Sequence, residues 1–400
     1  MLSIEKINDT KQIITCSNGR RITLLGTAHV SQDSVNEVAA TIEELQPDRV
    51  CVELDVGRYT SKTQNKGWEE LNLKSVLKEN KGFLMLANMA LSSYQKRLGD
   101  QMGVKPGDEI LGAISLANEK NIPVSFCDRE IQITFKRAWR LSNFWNKMKL
   151  ISVLISSIFS NEKISNEDIE KIKETDILQS MLEEMAQELP TIKKVLIDER
   201  DQYLATSIYQ AEGQNIVAVV GAGHVPGLVA YMQQLDAKQT EPDTEEITYI
   251  PKASSAGKIF SWVIIIALLG IIALGFVRSG WEDGLMMFLY WFALNASLTG
   301  IAALISLAHP VTIIVSMLAA PVTALNPTIG VGMVAGIIEA SVRKPRVKDF
   351  EHLTDDIQKF KGWFKNRIIH TLMIFMTTSI FASIGTFIAF PVLISKLNLS

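Results

Sequence analysis

The stretch LLGTAHVS, residues 24–31, decides how the first half of the chain is read. An apolar run from Arg21 to Leu25 enters Gly26, then His29, then a polar segment with helical spacing. The same grammar returns much later, where Asn215 to Val220 is apolar and Gly221, Ala222, Gly223, His224 and Val225 follow. These two G-x-x-H-V turns, each between a strand and a helix, use two of the five histidines in the chain.

Working outward, strands are expected at 12–17 and 20–25, joined by Asn18-Gly19, a strong hairpin signal. A helix is expected over 34–45, stopping before Pro47, then a short strand over 49–54, a polar loop over 59–70, and helices at about 71–79 and 83–98. Pro106 opens another helix, with Asp108 and Glu109 in the first turn where negative charge suits the helix dipole. A strand over 122–127 leads to Asp128-Arg129-Glu130, and 131–212 reads as helical throughout. In it Ser165 and Asp168 resemble a capping box, and Pro190 opens a helix that stops near Gly213. Residues 239–257 hold a short strand and a linker.

Strands alternating with helices predict an α/β fold whose mixed sheet is largely parallel. In such sheets ligands collect outside the carboxyl ends of the strands. His29, Glu53, Asp128 and His224 each sit at or just past such an end, so all four are expected at one rim.

The 400 residues are enough for two domains, and a net charge of −3 gives no reason to expect a nucleic-acid partner. Cys16, Cys51 and Cys127 are too scattered for a zinc ribbon or disulfide framework and read as small buried hydrophobes. The opening MLSIEKINDT lacks the basic start and apolar core of a signal peptide. Long uncharged runs lie in the other half, at 259–277, 284–308 and 368–394, each long enough to cross ~30 Å of hydrocarbon. Two shorter apolar pieces, 311–325 and 327–342, fit a tilted pair or a re-entrant hairpin. The expected organisation is an α/β domain over 1–238 with a helical insertion at about 131–212, a linker over 239–258, and an all-α transmembrane bundle over 259–400.

The loop 343–367 carries Arg343, Lys344, Arg346, Lys348, Lys359, Lys361, Lys365 and Arg367, and such a basic short loop is expected to stay in the cytoplasm. Counting spans back from it predicts a multi-pass protein of the cell membrane with its N-terminal domain cytoplasmic. An outward-facing domain is the alternative if one crossing is miscounted.

Two imidazoles and a carboxylate are a common ligand set for a hydrolytic divalent metal, which acidifies a bound water and polarises a carbonyl. His29, Glu53 and His224 are the candidate ligands, with Glu53 alternatively a base and Asp128 an acid or an orienting group. A polar residue between strand and helix is also a frequent cap, and Asp55 and Asp128 could cap or pair with Arg58 and Arg129. Glu53 is harder to assign to a cap, because a carboxylate at the end of an apolar strand is costly without a partner. The apolar helix over 148–159 is too short to span and reads as a packing or dimer contact. Asn295, His309, Glu339 and His370 are polar groups in or near membrane segments.

Six motifs in order carry a family resemblance: LLGTAHVS at 24–31, VCVELDVGRY at 50–59, GVKPGDEILGAISLANEKNIPV at 103–124, DREIQITFKRAW at 128–139, DERDQYLA at 198–205 and VVGAGHVPGL at 219–228. Together with the hydrophobic second half they resemble the TraB/PrgY family of pheromone-shutdown proteins, itself similar to the Tiki proteases and the erythromycin-esterase/ChaN group. The resemblance implies a shared α/β fold with a metal or acid–base centre on His29, Glu53 and His224. It also implies arginine motifs that correspond here to Arg58, Arg129 and Glu199-Arg200-Asp201. On this basis Glu53, His224, Asp128 and Arg200 are expected to be catalytic, and Arg58, Arg129 and Glu199 to bind substrate. The expected function is a membrane-anchored metallopeptidase using Zn, Mn or Co against short signalling peptides, with the lipid bilayer and a second copy in a dimer as further partners. A membrane protein that sequesters such a peptide without cutting it is the alternative, and a transporter or scaffold built on the membrane half is a third reading.

Overall fold

The structure, a computed structural model, describes residues 2–27, 32–63, 107–159, 193–252, 254–346, 348–349 and 352–398. His29, the expected helices at 71–79 and 83–98, the Ser165 capping box and Pro190 lie outside these residues. The chain divides into two compact units, 1–65 with 86–252 and 66–85 with 253–400.

The N-terminal unit is built on a six-stranded mixed sheet in the order β1-β2-β3-β6-β4-β5. The strands are β1 (Ser3–Lys6), β2 (Lys11–Thr15), β3 (Arg21–Thr27), β4 (Arg49–Val52), β5 (Val124–Phe126) and β6 (Asn215–Gly221). The first three run antiparallel, and β3, β6, β4 and β5 are parallel. β1 was not expected from the sequence: all four of its residues are exposed, so no alternation marks it, and only backbone pairing holds it at the edge.

β6 is central, and its apolar run is buried on both faces, as expected of a parallel strand covered by helices on each side. Ala218 and Val220 pack with Leu204, Ile208, Leu228 and Met232 on one face. Val217 and Val219 pack with Val38, Ile42, Ile110 and Ile114 on the other. The helices supplying these contacts are α1 (Gln32–Leu45) and α3 (Asp108–Glu119) on one side, α6 (Glu199–Gln210) and α7 (Val225–Asp236) on the other.

Three expectations need correction. The polar loop at 59–70 gives way through residue 63 to α2 (Val56–Thr63), because the Asp55 carboxylate accepts the Arg58 amide at 2.9 Å and caps the helix start. The region expected to be helical throughout is interrupted at Ser142, whose backbone is extended, leaving α4 (Ile131–Leu141) and α5 (Phe144–Phe159). The short strand expected within 239–257 is a helical turn, Glu245–Thr248, closed by Asp243 at the Glu245 amide.

The second unit is helical. α8 (Ala256–Arg278), α9 (Gly280–Ile305) and α12 (Arg367–Asn398) each contain a stretch long and apolar enough to cross a membrane. α10 (Pro310–Ala324) and α11 (Val331–Val342), at 15 and 12 residues, are shorter. At ~1.5 Å per residue neither reaches ~30 Å alone. Much of the α8 surface is exposed and apolar, including Ile259, Phe260, Val263 and Ile266, the composition hydrocarbon demands. Glu339 is fully buried, and its Oε2 accepts from the His309 amide at 3.0 Å and the Thr312 hydroxyl at 2.6 Å, closing the N-terminus of α10.

Candidate functional site

The parallel strands end in register. Glu53 follows β4 directly and its amide donates to Val219 of β6, while the Cys127 amide donates to Val52 and places Asp128 one residue beyond. β6 ends at Gly221, a single 3₁₀ turn Ala222–His224 follows, and α7 begins. Glu53, Asp128 and His224 therefore meet at one rim, and all three are buried.

Arg200 joins them. Its Nη2 donates to Glu53 Oε1 at 2.7 Å and to Asp128 Oδ2 at 2.9 Å. Arg58, from α2, donates to Asp55 at 2.5 Å and also to Asp128. The other oxygen of Glu53 accepts the Gly221 amide at 2.6 Å. This is the partner a carboxylate at the end of an apolar strand needs.

His224 is 1% exposed. Its Nδ1 meets Asp201 Oδ1 at 2.5 Å, and its Nε2 faces Glu53 Oε1 at 3.4 Å without a hydrogen-bond partner. Asp201 was not among the expected site residues, although the DERD motif and the glycine after His224-Val-Pro mark its position. A Cβ on Gly227 would stand 1.9 Å from Asp201 Oδ2, so the carboxylate reaches the ring only because residue 227 has no side chain. Gly26 plays the corresponding part on β3: a Cβ there would meet Val225 at 3.0 Å and Ala222 at 3.2 Å.

Charge sets the protonation pattern. Burial alone would lower the His224 pKa, but Glu53 beside it and the Asp201 contact outweigh this, and the imidazole is raised above its ordinary value. Burial pushes the Asp201 carboxyl up, against the pull of His224. Both shifts keep a proton on this pair. Burial would also raise Asp128, yet Arg200 and Arg58 overcome it and hold that carboxyl far below the usual range.

Arg129 and Glu199, expected to bind substrate, form a second cluster. Arg129 donates to Thr134, Glu199, the Ile247 carbonyl and the Val195 carbonyl. Arg137 grips both oxygens of Glu199 at 2.9 and 2.8 Å. The Val195 carbonyl belongs to a π-helical turn, Lys194–Asp198, immediately before α6. The structure thus brings Glu53, Arg58, Asp128, Arg200 and His224 together and places Arg129 and Glu199 beside them in a network of protein contacts.

A divalent cation can be tested against these donors. Among the described residues no group of three His, Cys, Asp or Glu side chains surrounds one point. Two suitable donors do face each other: the unpartnered Nε2 of His224 and Oε1 of Glu53, 3.4 Å apart. Two atoms each ~2.1 Å from one ion at a tetrahedral angle are separated by about this much. Asp201 behind the ring stands where a carboxylate would orient a metal-binding histidine. The spacing of these two donors fits such an ion, and the third expected ligand, His29, lies outside the described residues.

The TraB/PrgY/gumN family profile matches residues 13–243, which hold the whole rim, and the C-terminal domain profile of TraB family proteins matches residues 256–398. This chain belongs to the TraB/PrgY/gumN family. Its relatives reach across two domains of life. An uncharacterized protein of Methanocaldococcus jannaschii is 31% identical over 373 residues, covering 92% of this chain and 93% of the relative. A TraB domain-containing protein of Bos taurus is 31% identical over 297 residues, 67% of this chain and 75% of its own. The human TraB domain-containing protein is 31% identical over 289 residues, 65% of this chain and 73% of its own. The TraB family membership expected from the six sequence motifs is thus shown.

Proposed function

We propose that this TraB-family protein is a membrane-anchored hydrolase of short peptides whose reacting groups are His224 and Glu53. The observation that carries the reading is the unpartnered Nε2 of His224, buried and turned toward Glu53 while Asp201 takes up the other ring nitrogen. A buried polar atom left without a bond is costly, and such atoms in native proteins call for a functional reason.

In this mechanism Asp201 accepts the Nδ1 proton and fixes the tautomer, leaving the Nε2 lone pair for the reaction. Nε2 takes a proton from the attacking water as it adds to the peptide carbonyl. The C–N bond then breaks, and the same proton passes to the departing amine. Arg200 holds Glu53 and Asp128 at fixed distances, so the site is ordered before substrate arrives. Arg58, with 29% of its side chain exposed, is placed to draw in a peptide carboxylate. If a divalent cation (Zn, Mn or Co) were held by His29, Glu53 and His224, Nε2 would be its ligand rather than the base, and the ion would supply an acidified water and polarise the carbonyl. The likeness of the sheet to the Tiki and erythromycin-esterase/ChaN scaffold and the cytoplasmic placement of the N-terminal unit belong to the same proposal. The first rests on the motif order and the second on the basic loop at 343–367.

The test uses the purified full chain in detergent or nanodiscs, a library of short peptides and mass spectrometry. Wild type is expected to release fragments and His224→Ala to release none, with bound metal measured on both. Equal cleavage by the two proteins overturns the reading. A second reading, peptide capture without cleavage, is favoured by the guanidinium and amide partners that both oxygens of Glu53 already carry. Intact peptide recovered in stoichiometric amount after long incubation selects it.

A further inference from the structure

The α4–α5 corner presents an apolar surface that the catalytic proposal does not use. Leu141 is 42% exposed, Phe144 64%, Trp145 73% and Met148 41%. The rings of Phe144 and Trp145 stack edge to face at 5.6 Å, while Leu150 and Leu154, further along α5, are buried. α5 is thus anchored by one part and leaves its beginning uncovered. A tryptophan exposed to this degree beside a phenylalanine, a leucine and a methionine is unusual on a surface that meets only water.

Charge narrows the partner. Between residues 131 and 161 the sequence has five basic residues, Lys136, Arg137, Arg140, Lys147 and Lys149, and no aspartate or glutamate. Arg137 is committed inward to Glu199. Arg140 and Lys149 are exposed, and Lys147 lies over the Trp139 ring at 5.4 Å. Aromatic and aliphatic side chains flanked by cations are the composition of a helix lying in the headgroup region of an anionic bilayer.

Chain connectivity points to the same partner. Arg137 donates to the carbonyls of Glu246 and Tyr249, so the segment leaving the N-terminal unit is pinned to α4. Leu141 stands one helical turn beyond Arg137. From Tyr249 only six residues precede Ala256, where α8 begins, and α8 contains the first candidate span. Seven extended Cα steps cover at most about 25 Å, which bounds the length of chain between Tyr249 and α8.

We propose that Leu141, Phe144, Trp145 and Met148, with Arg140, Lys147 and Lys149 around them, form a face that rests in the surface of an anionic bilayer. The apolar side chains enter the headgroup boundary and the cations meet lipid phosphates.

The experiment uses the full chain, one copy per nanodisc, in phosphatidylcholine with phosphatidylglycerol. A nitrobenzoxadiazole label is placed at Trp145→Cys, or at Glu5→Cys on exposed β1 as the reference; Cys16, Cys51 and Cys127 are buried and stay unlabelled. Doxyl lipids are expected to quench the label at position 145 several-fold more than the label at position 5, and dithionite in water to reach it several-fold more slowly. Arg140→Glu with Lys147→Glu is expected to weaken the lipid quenching at position 145. Equal quenching at both positions overturns the proposal, and so does indifference to the charge reversal. A label shielded from both reagents only when two chains share a disc would assign the face to a second copy and also overturn it.

Discussion

Glu199 and Arg200 are neighbours on one helix, yet they serve clusters of different character. Glu199 points into a closed network in which Arg129 and Arg137 supply its donors and backbone carbonyls take up the remaining guanidinium groups. Arg200 points the other way, to Glu53 and Asp128, in a cluster that ends on a histidine nitrogen with no bond. Both clusters are buried and rich in arginine and carboxylate. The first has its donors and acceptors matched, which is what structural ion pairs need. The second keeps one lone pair free, and a free lone pair in a fixed place is what acid–base chemistry needs. Burial and charge alone therefore do not separate the two clusters; the unpartnered His224 Nε2 does.

The comparison can be broken most directly at Glu199. Glu199→Ala leaves Arg129 and Arg137 buried without a counterion, a loss of about 3–5 kcal/mol. Thermal unfolding of the N-terminal unit should record it as a large drop in midpoint. If stability is unchanged, the first cluster is not structural. The converse is His224→Ala. Peptide cleavage is expected to fall by ~10²–10⁴ while the unfolding midpoint moves less than for Glu199→Ala, because the contact to Asp201 is lost rather than the shared counterion of two buried arginines.

Gly227→Ala sharpens the comparison at intermediate cost. The added methyl displaces Asp201 from the ring, an overpacking strain of about 1–3 kcal/mol. Cleavage should fall along with stability, whereas an alanine at an ordinary exposed helix position would change neither. Cleavage at the wild-type level in a folded Gly227→Ala protein would remove Asp201 from the mechanism.

A smaller effect concerns pH. The folded-state pKa of His224 is raised, so its contribution to stability is complete below about 6.5 and is lost as pH rises through the folded value. The stability difference between wild type and His224→Gln is expected to be larger at mildly acid pH than at alkaline pH. Glu53→Gln removes the strongest influence raising that pKa, so the same pH dependence should flatten in that background. Asp128 works in the opposite sense: its lowered pKa gives stability that is present above about 4 and is lost only as the pH falls further. The smallest change is expected for Arg58→Ala, where a partly exposed guanidinium is lost. KM for a peptide with a free terminal carboxylate should rise, with no comparable change for the amidated peptide.

Much of this was legible in the residues. Asn18-Gly19 marked the hairpin, and short apolar runs marked the strands at β4, β5 and β6, because parallel strands covered by helices on both faces are apolar nearly throughout. Long uncharged runs gave the membrane-length helices, since a charge in hydrocarbon is costly. β1 escaped notice because nothing on it is buried. The division of the arginines also escaped notice: Arg129 and Arg200 look alike in a sequence, and only their partners tell them apart.

By itself the sequence determined the α/β order, the three long apolar helices, the family, and the rim where Glu53, Asp128 and His224 come together. These depend on local periodicity and on which residues follow a strand, properties a chain carries before it folds. Tertiary structure decided the rest. It paired Asp201 with His224 through the missing side chain of Gly227, turned Arg129 and Glu199 away into their own network, and left the nitrogen facing Glu53 unmatched. Those outcomes depend on distances between segments far apart in the chain, and such distances exist only once the sheet has closed around its core.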